Sequence, residues 1–350
     1  MAPHQQRLIS PAADAMSWPR HDDDSSVPND PKTEASMRLA RSLTSLPSSL
    51  KGGAVAIGNF DGVHLGHRVV IGQVVQAAAA LGGVPVVVLT FEPHPRALFR
   101  PDEPPFRITP LREKLLALAD TGIDGVLLLR FTRVFAGATA DSFVDDVLIN
   151  GLGARHVVVG HDFCLGRERA GNAAYLNRRG AEAGFRVTAV PAQRCEDGEP
   201  YSSTRIRDYL LRGEPQHAAR LLGRPFRISG RVRQGDQRGR TIGFPTANLA
   251  LGPYLRACAG VYAIRATTEA GQTLAGVANL GWRPTFQGQD LRLETHLFDF
   301  AGNLYGQHLT VDLLHFIRPE MKFSGLPALL DQITKDAETA RTLSGIEYRP

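Results

Sequence analysis

Residues 54–90 read AVAIGNFDGVHLGHRVVIGQVVQAAAALGGVPVVVLT, and this stretch sets the fold class of the first half of the chain. Residues 54–58 are a short apolar run. Residues 67–81 place Val70, Val74, Ala77, Ala78 and Leu81 near helical spacing, and residues 84–90 are apolar almost throughout. Strand, helix and a second strand buried on both faces is the unit from which parallel sheets are built. Downstream, helices are expected over residues 111–120, 140–149, 172–183 and 204–212, and strands over 126–131, 156–160 and 185–190. Thr109 and Pro110 suit the N-cap and first position of the helix at 111, and Gly213 ends the last helix of the series. This alternation predicts an open parallel α/β sheet covered on both faces.

Beyond Gly223 the pattern changes. Residues 226–235, 261–268, 273–280, 291–300 and 308–317 are strand-like and are separated by Gly-, Pro- and Asp-containing turns. No helix-length pattern intervenes until residues 326–343, so the second half is expected to be a small antiparallel β-barrel with one closing helix. Residues 214–223 are the expected junction. Residues 1–36 lack apolar periodicity and contain the run DDDSS (22–26) with several prolines; they are expected to be a disordered extension. A basic, amphipathic stretch, MRLARSL, follows from Met37. The expected domains are therefore 37–222 and 223–350.

At 350 residues, 43% hydrophobic and 21% charged, the chain can bury two cores and is not wholly disordered. Lys+Arg 40 against Asp+Glu 35 leaves +5, spread along the chain, which fits phosphate-bearing ligands better than nucleic acid. Three cysteines far apart, without a CxxC pair, argue against a disulfide framework or a zinc site and for a reducing cytoplasm. Residues 69–91 carry no charge, but Gln73, Gln76, the pair Gly82 and Gly83, and Pro85 divide them into a helix and a strand, each too short to span a membrane.

The segment GNFDGVHLGH (58–67) directly follows the first strand. In an open α/β sheet ligands bind beyond the carboxyl ends of the strands, where a helix N-terminus offers free N–H groups to phosphate. Gly58 and Gly62 permit a tight turn and close backbone approach, and Gly66 brings helix and ligand together. His64 and His67, three apart, are expected on one face of the first helical turn, where two imidazoles can donate to triphosphate oxygens. One buried structural His and one surface His is the alternative; the glycines and the strand-end position favour a site. SSTRIR (202–207) opens a later helix: Ser202, Ser203 and Thr204 supply hydroxyls where caps are favoured anyway, and Arg207 lies one turn in, its cationic fork expected to be free for a phosphate. His94, between Pro93 and Pro95, is held in an extended turn and either shapes a pocket wall or touches ligand.

In the second half, GRTIGFPTAN (239–248) combines Gly239 and Gly243, able to wrap phosphates, with Pro245, which stiffens the turn. Thr246 and Asn248, two apart in an extended segment, offer neutral oxygens suited to Mg²⁺; an ordinary hairpin loop is the alternative. Glu294 interrupts an apolar strand and is either paired structurally or a functional base.

GNFDGVHLGH resembles the nucleotide-binding signature of the HxGH nucleotidyltransferases, in the form used by bacterial bifunctional riboflavin kinase/FAD synthetases. TFEPHP (90–95), GHDF (160–163) and SSTRIR match the same family in order, and GRTIGFPTAN resembles the GxxxGxPTxN loop of riboflavin kinases. NLGWRPTF (279–286), ETHLFDF (294–300) and FIRPEMKF (316–323) support the second resemblance, which together with the first runs from about Met37 to the C-terminus. The resemblance implies a Rossmann-like adenylyltransferase domain followed by a riboflavin kinase barrel. It implies an ATP site at Gly58, Phe60, Asp61, Gly62, His64, Gly66 and His67, with Ser203, Thr204 and Arg207 clamping the β- and γ-phosphates. Flavin-side contacts fall by resemblance on His94, Asp162 and Phe163, although Cys164-Leu165-Gly166 stands where the family often has an aromatic. The kinase ATP site falls on Gly239, Gly243, Phe244, Pro245, Thr246 and Asn248, with Thr246 and Asn248 on Mg²⁺ and Glu294 the general base. The expected partners are riboflavin, FMN, FAD and ATP, with neither nucleic acid nor membrane, in a cytoplasmic monomer or transient homo-oligomer. A kinase whose first domain has decayed, and a flavin-sensing or RNA-binding regulator on the same scaffold, are the alternatives. Intact His64, His67, Ser203, Thr204 and Arg207 argue against the first, and the lack of an aromatic-plus-basic stripe argues against the second.

Overall fold

Why the first half forms a sheet is visible in its central strands, residues 54–57, 86–92, 125–130 and 156–160, which are apolar and buried at nearly every position, so that neither face is left to solvent. The structure is a computed structural model that describes residues 37–235, 243–285 and 288–344. The described residues fall into two compact units, one built from 37–60, 67–102 and 115–192, the other from 61–66, 103–114 and those after 192.

In the first unit, strands β1 (Arg38–Ala40), β2 (Ala54–Ile57), β3 (Val86–Glu92), β4 (Gly125–Arg130), β5 (His156–Gly160) and β6 (Arg186–Val190) form one sheet of order β1-β4-β3-β2-β5-β6, parallel throughout. Val55, Ile57, Val87, Leu89, Leu127, Val157 and Val159 share a core with Phe143, Val147, Leu148 and Leu176 from the covering helices. Successive connections step from β2 outward to β3 and β4, then return to place β5 on the other side of β2. The crevice beyond the carboxyl ends of β2 and β5 is therefore the topological switch point where open α/β sheets take ligands.

Among the described residues up to 222 the α-helices are α1 (Leu65–Ala80), α2 (Pro95–Phe99), α3 (Leu111–Ala119), α4 (Arg133–Ala136), α5 (Ala140–Phe143), α6 (Ala173–Ala183), α7 (Ser203–Leu211) and α8 (Pro215–Leu222). The α-helix expected over 140–149 is α5 widening into a π-helix, Val144–Gly151; Val144, Val147, Leu148 and Gly151 still bury one face, so the apolar pattern is the same for either geometry. Thr109 does not cap α3: its hydroxyl accepts from the Gly62 N–H at 2.8 Å and lies 3.3 Å from the Asp61 carboxylate. The expected junction contains α8, which starts on Pro215, buries Ala218, Ala219, Leu221 and Leu222, and ends on Gly223 in the left-handed conformation. The expected disordered extension, 1–36, lies outside the described residues.

The second unit carries β7 (Phe226–Arg231), β8 (Ala247–Ala250), β9 (Gly260–Thr268), β10 (Thr273–Thr285), β11 (Gly288–Leu297) and β12 (His308–Arg318), antiparallel in the order β7-β12-β9-β10-β11-β8. A bridge between Arg233 and Asn248 brings β8 back beside the end of β7, so the barrel is nearly closed. The closing helix α9 (Leu326–Ser344) buries Ala337 and Ala340 against Val261, Ala263, Val277 and Phe298. It is pinned by Arg318, whose Nε and Nη2 donate to the buried Asp336 carboxylate at 2.9 and 2.6 Å. Asp336→Ala leaves that guanidinium half of a broken, largely buried pair and is expected to cost about 3 kcal/mol, read from the midpoint of denaturant unfolding at unchanged slope.

Candidate active sites

The loop after β2 is shaped by its own backbone. Phe60 takes φ 48° and Gly62 φ 92°, turning the chain sharply before α1 begins at Leu65. The Phe60 ring is buried, with the His67 ring edge-on at 5.3 Å. A Cβ added at Gly58 would meet that ring at 3.2 Å, and one at Gly66 would meet Tyr201 Cβ at 2.9 Å and the His64 ring at 3.2 Å, so both glycines serve close packing. His64 precedes the helix rather than lying on its first turn, because α1 starts one residue later.

Within the second unit the structure brings together Asp61, His64, Ser203 and Arg207. Ser202, not Ser203, caps α7, its Oγ accepting from the N–H groups of Thr204 and Arg205. Ser203 Oγ instead donates to the Asp61 carbonyl at 2.8 Å and fastens the start of α7 to the loop that bears His64. Thr204 is exposed on the first turn of α7. Arg207 is not the free fork expected from the sequence: Nη2 donates to Asp61 Oδ2 at 2.6 Å, Nε to the Phe106 carbonyl at 2.9 Å, and the guanidinium lies over the Phe106 ring. Asp61, placed at the nucleotide by resemblance, is 2% exposed and turned inward toward these groups.

Burial lowers the His64 pKa to about 4, with the Arg207 and Arg224 charges acting the same way and Asp61 opposing them. At neutral pH the ring is uncharged, one nitrogen donating and the other accepting. Its folded pKa lies below its unfolded value near 6.5, so the unfolded chain binds the proton first as the medium is acidified. This contribution is intact above about pH 6.5 and is lost as pH falls toward about 4, up to about 3 kcal/mol in all. His64→Gln is expected to flatten the fall of unfolding free energy between pH 7 and pH 5; an unchanged slope would contradict a buried neutral imidazole.

Of the residues placed on the flavin side, His94 caps α2, its Nδ1 accepting from the Arg96 N–H at 3.1 Å. Asp162 is exposed in the turn after β5, and Phe163 packs against the first unit's core. Leu165, in the stretch Cys164-Leu165-Gly166, is buried and bridges to Gly171.

On the barrel, antiparallel register assembles a polar row that local sequence does not show. Glu294 in β11 stands opposite Asn248 in β8 on one side and Asn279 in β10 on the other. Directly opposed residues share a face, so the two amides flank the carboxylate. Glu320 approaches Asn279 at 3.4 Å, and Gly281 leaves the space, since a Cβ there would lie 2.4 Å from the Glu320 carboxylate. Gly243, Phe244, Pro245 and Thr246 lead into β8, and His296, two residues along from Glu294, holds them: its Nδ1 meets the Pro245 carbonyl at 2.9 Å and its ring lies 5.3 Å from that of Phe244. Asn279, His296 and Glu320 were not singled out from the sequence. Asn279 carries the signal that marked Glu294, a polar residue inside an apolar strand. Gly239 lies outside the described residues.

Among the described residues no group of three or more His, Cys, Asp or Glu gathers to hold a metal. A cation at the barrel loop would take few protein ligands and phosphate for the rest, as Mg²⁺ does. Asn248 fits that donor set: its amide is buried against Gly235, where a Cβ would sit 2.5 Å from Nδ2.

The family model described as FAD synthetase matches residues 46–205, and the one described as riboflavin kinase matches residues 222–344. The bifunctional riboflavin kinase/FMN adenylyltransferase of Escherichia coli (strain K12) is 44% identical over 311 residues, covering 89% of this chain and 99% of its own. The protein of that name from Haemophilus influenzae is 43% identical over 305 residues, covering 87% and 98%. A solved structure titled macrolide-efflux protein from Streptococcus pneumoniae is 32% identical with a TM-score of 0.78, over 87% of this chain and 98% of that one. In the present chain no helix among the described residues is long and apolar enough to cross a membrane.

Proposed function

The chain belongs to the family of bifunctional riboflavin kinase/FMN adenylyltransferases, and from that premise we propose how its two sites divide the work. It phosphorylates riboflavin with ATP to give FMN and ADP, and adenylylates FMN with a second ATP to give FAD and pyrophosphate. The observation that carries this reading is similarity over nearly the whole length of relatives bearing both activities, with a motif set for each reaction present here.

In the barrel, Glu294 takes the proton from the terminal ribityl hydroxyl as that oxygen attacks the γ-phosphorus of ATP and ADP leaves. Asn248 and Asn279 hold the carboxylate between them, and the loop through Gly243, Phe244 and Pro245, with Gly239, wraps the nucleotide phosphates. Mg²⁺, when bound with ATP, neutralises charge on the phosphate oxygens, and Thr246 and Asn248 are the residues that would hold it. At the other site a phosphate oxygen of FMN attacks the α-phosphorus of ATP and pyrophosphate leaves. His64 and His67 donate to the phosphate oxygens as charge gathers there, with His64 acting as a neutral donor. Ser203, Thr204 and Arg207 face the β- and γ-phosphates, and Gly58, Phe60, Gly62 and Gly66 shape the loop. The flavin lies toward His94, Asp162 and Phe163. A cytoplasmic setting, and a monomeric or transiently self-associated state, complete the proposal.

Purified protein incubated with riboflavin, ATP and Mg²⁺, followed by separation of the flavins, tests it. FAD is the expected product. FMN alone would leave a monofunctional kinase, and no product at all would leave a regulator on an enzyme scaffold.

A further inference from the structure

Four consecutive residues, 106–109, gather three separate parts of the second unit. The Phe106 carbonyl accepts from Arg207 Nε at 2.9 Å, and the Arg107 carbonyl from the Leu255 N–H at 2.7 Å. The N–H groups of Ile108 and Thr109 donate to Asp61 Oδ1 at 3.1 and 2.9 Å, while the Thr109 hydroxyl accepts from Gly62 N–H. At the middle of this knot the buried Asp61 carboxylate receives two backbone donors and the Arg207 guanidinium, and the Asp61 carbonyl receives Ser203. A carboxylate turned inward in this way is not presented to a triphosphate, whose charge it would repel.

We propose that Asp61 is a positioning residue for adenylyl transfer: it fixes the Arg207 guanidinium and the start of α7 against the loop that bears His64, and acts on the nucleotide only through Arg207. This rests on the reading above that the loop and α7 receive ATP phosphates. It accounts for an acid inside a phosphate-binding motif. It also accounts for an arginine that is held rather than free: with Nε and Nη2 committed to protein oxygens, its remaining N–H groups are set in one orientation.

A double-mutant cycle tests this, using adenylylation of supplied FMN by the full chain and its kcat/KM for ATP. Asp61→Asn is expected to lower kcat/KM roughly 30-fold, chiefly through KM, and Arg207→Ala about 100-fold. The double variant is expected to match Arg207→Ala within about two-fold, because an effect relayed by Arg207 has nothing left to act on. Multiplying effects would overturn the proposal, since Asp61 would then touch the nucleotide itself; so would an Asp61→Asn variant as active as the parent. Phosphorylation of riboflavin in the same samples reports folding. If Asp61→Asn fails to fold, Thr109→Val, which removes one hydroxyl from the knot, is expected to lower the same parameter roughly five-fold in the parent and not in the Arg207→Ala background. Equal losses in both backgrounds, or none in the parent, would overturn the idea. A parent chain that makes no FAD overturns the underlying reading and this proposal together, whereas an FAD-forming chain indifferent to Asp61→Asn overturns the proposal alone.

Discussion

His67→Ala is expected to abolish FAD formation while riboflavin is still converted to FMN. The imidazole is held edge-on to the Phe60 ring, and Phe60 is itself buried in a left-handed backbone conformation, so the ring is placed before any ligand arrives. A donor set in advance against developing phosphate charge is worth at least about 100-fold in rate. Alanine keeps the helix, because position 67 lies inside α1 and alanine is the best helix former. The kinase motifs lie in residues 239–323, inside the stretch that matches the riboflavin kinase model, and the substitution leaves them alone. Chromatography of the flavins at fixed ATP reads both products at once. Loss of both activities in a folded variant would show that the two sites are not independent, and persistent FAD would remove His67 from the chemistry.

Glu294→Gln is expected to give the mirror image: riboflavin phosphorylation falls about 1,000-fold while added FMN is still adenylylated. Glutamine keeps the length and shape of the side chain between Asn248 and Asn279 and can hydrogen-bond to either amide, so the polar row survives. What it lacks is a site to take the proton from an attacking hydroxyl. The comparison is therefore one of proton acceptance, with packing held nearly constant. Wild-type phosphorylation by the variant would assign the base elsewhere, and the rate against pH would then locate it.

The β/α alternation of the first half and the change to strands after Gly223 are legible in the sequence because apolar periodicity is a local property. The features that escaped that reading did so for different reasons. Strand β1 has three residues, of which Ala40 is buried, too few to show a period. Helix α8 carried its own signals, Pro215 at the start and Gly223 at the end, but eight residues at the point where the pattern changes resemble a linker. The inward role of Asp61 depends on partners 47 and 48 positions away at Ile108 and Thr109, and 146 away at Arg207, distances over which spacing says nothing. Glu294 could be found as an acid inside an apolar strand, whereas the amides beside it follow from barrel register, which no single strand encodes. His64 and His67 were visible as a pair, but the residue at which the helix begins decides that only one of them is helical.

The stitching at residues 106–109 has a consequence for anyone shortening this gene. A fragment stopping at residue 222 retains both histidines, α7 and Arg207, and by motif alone would be judged complete. It would lack Leu255 and Cys258, whose N–H groups satisfy the carbonyls of Arg107 and Leu210, leaving two exposed seams beside the arginine anchor. Inheritance of the second activity by truncation is thus expected to fail at the backbone, before any catalytic side chain is missed.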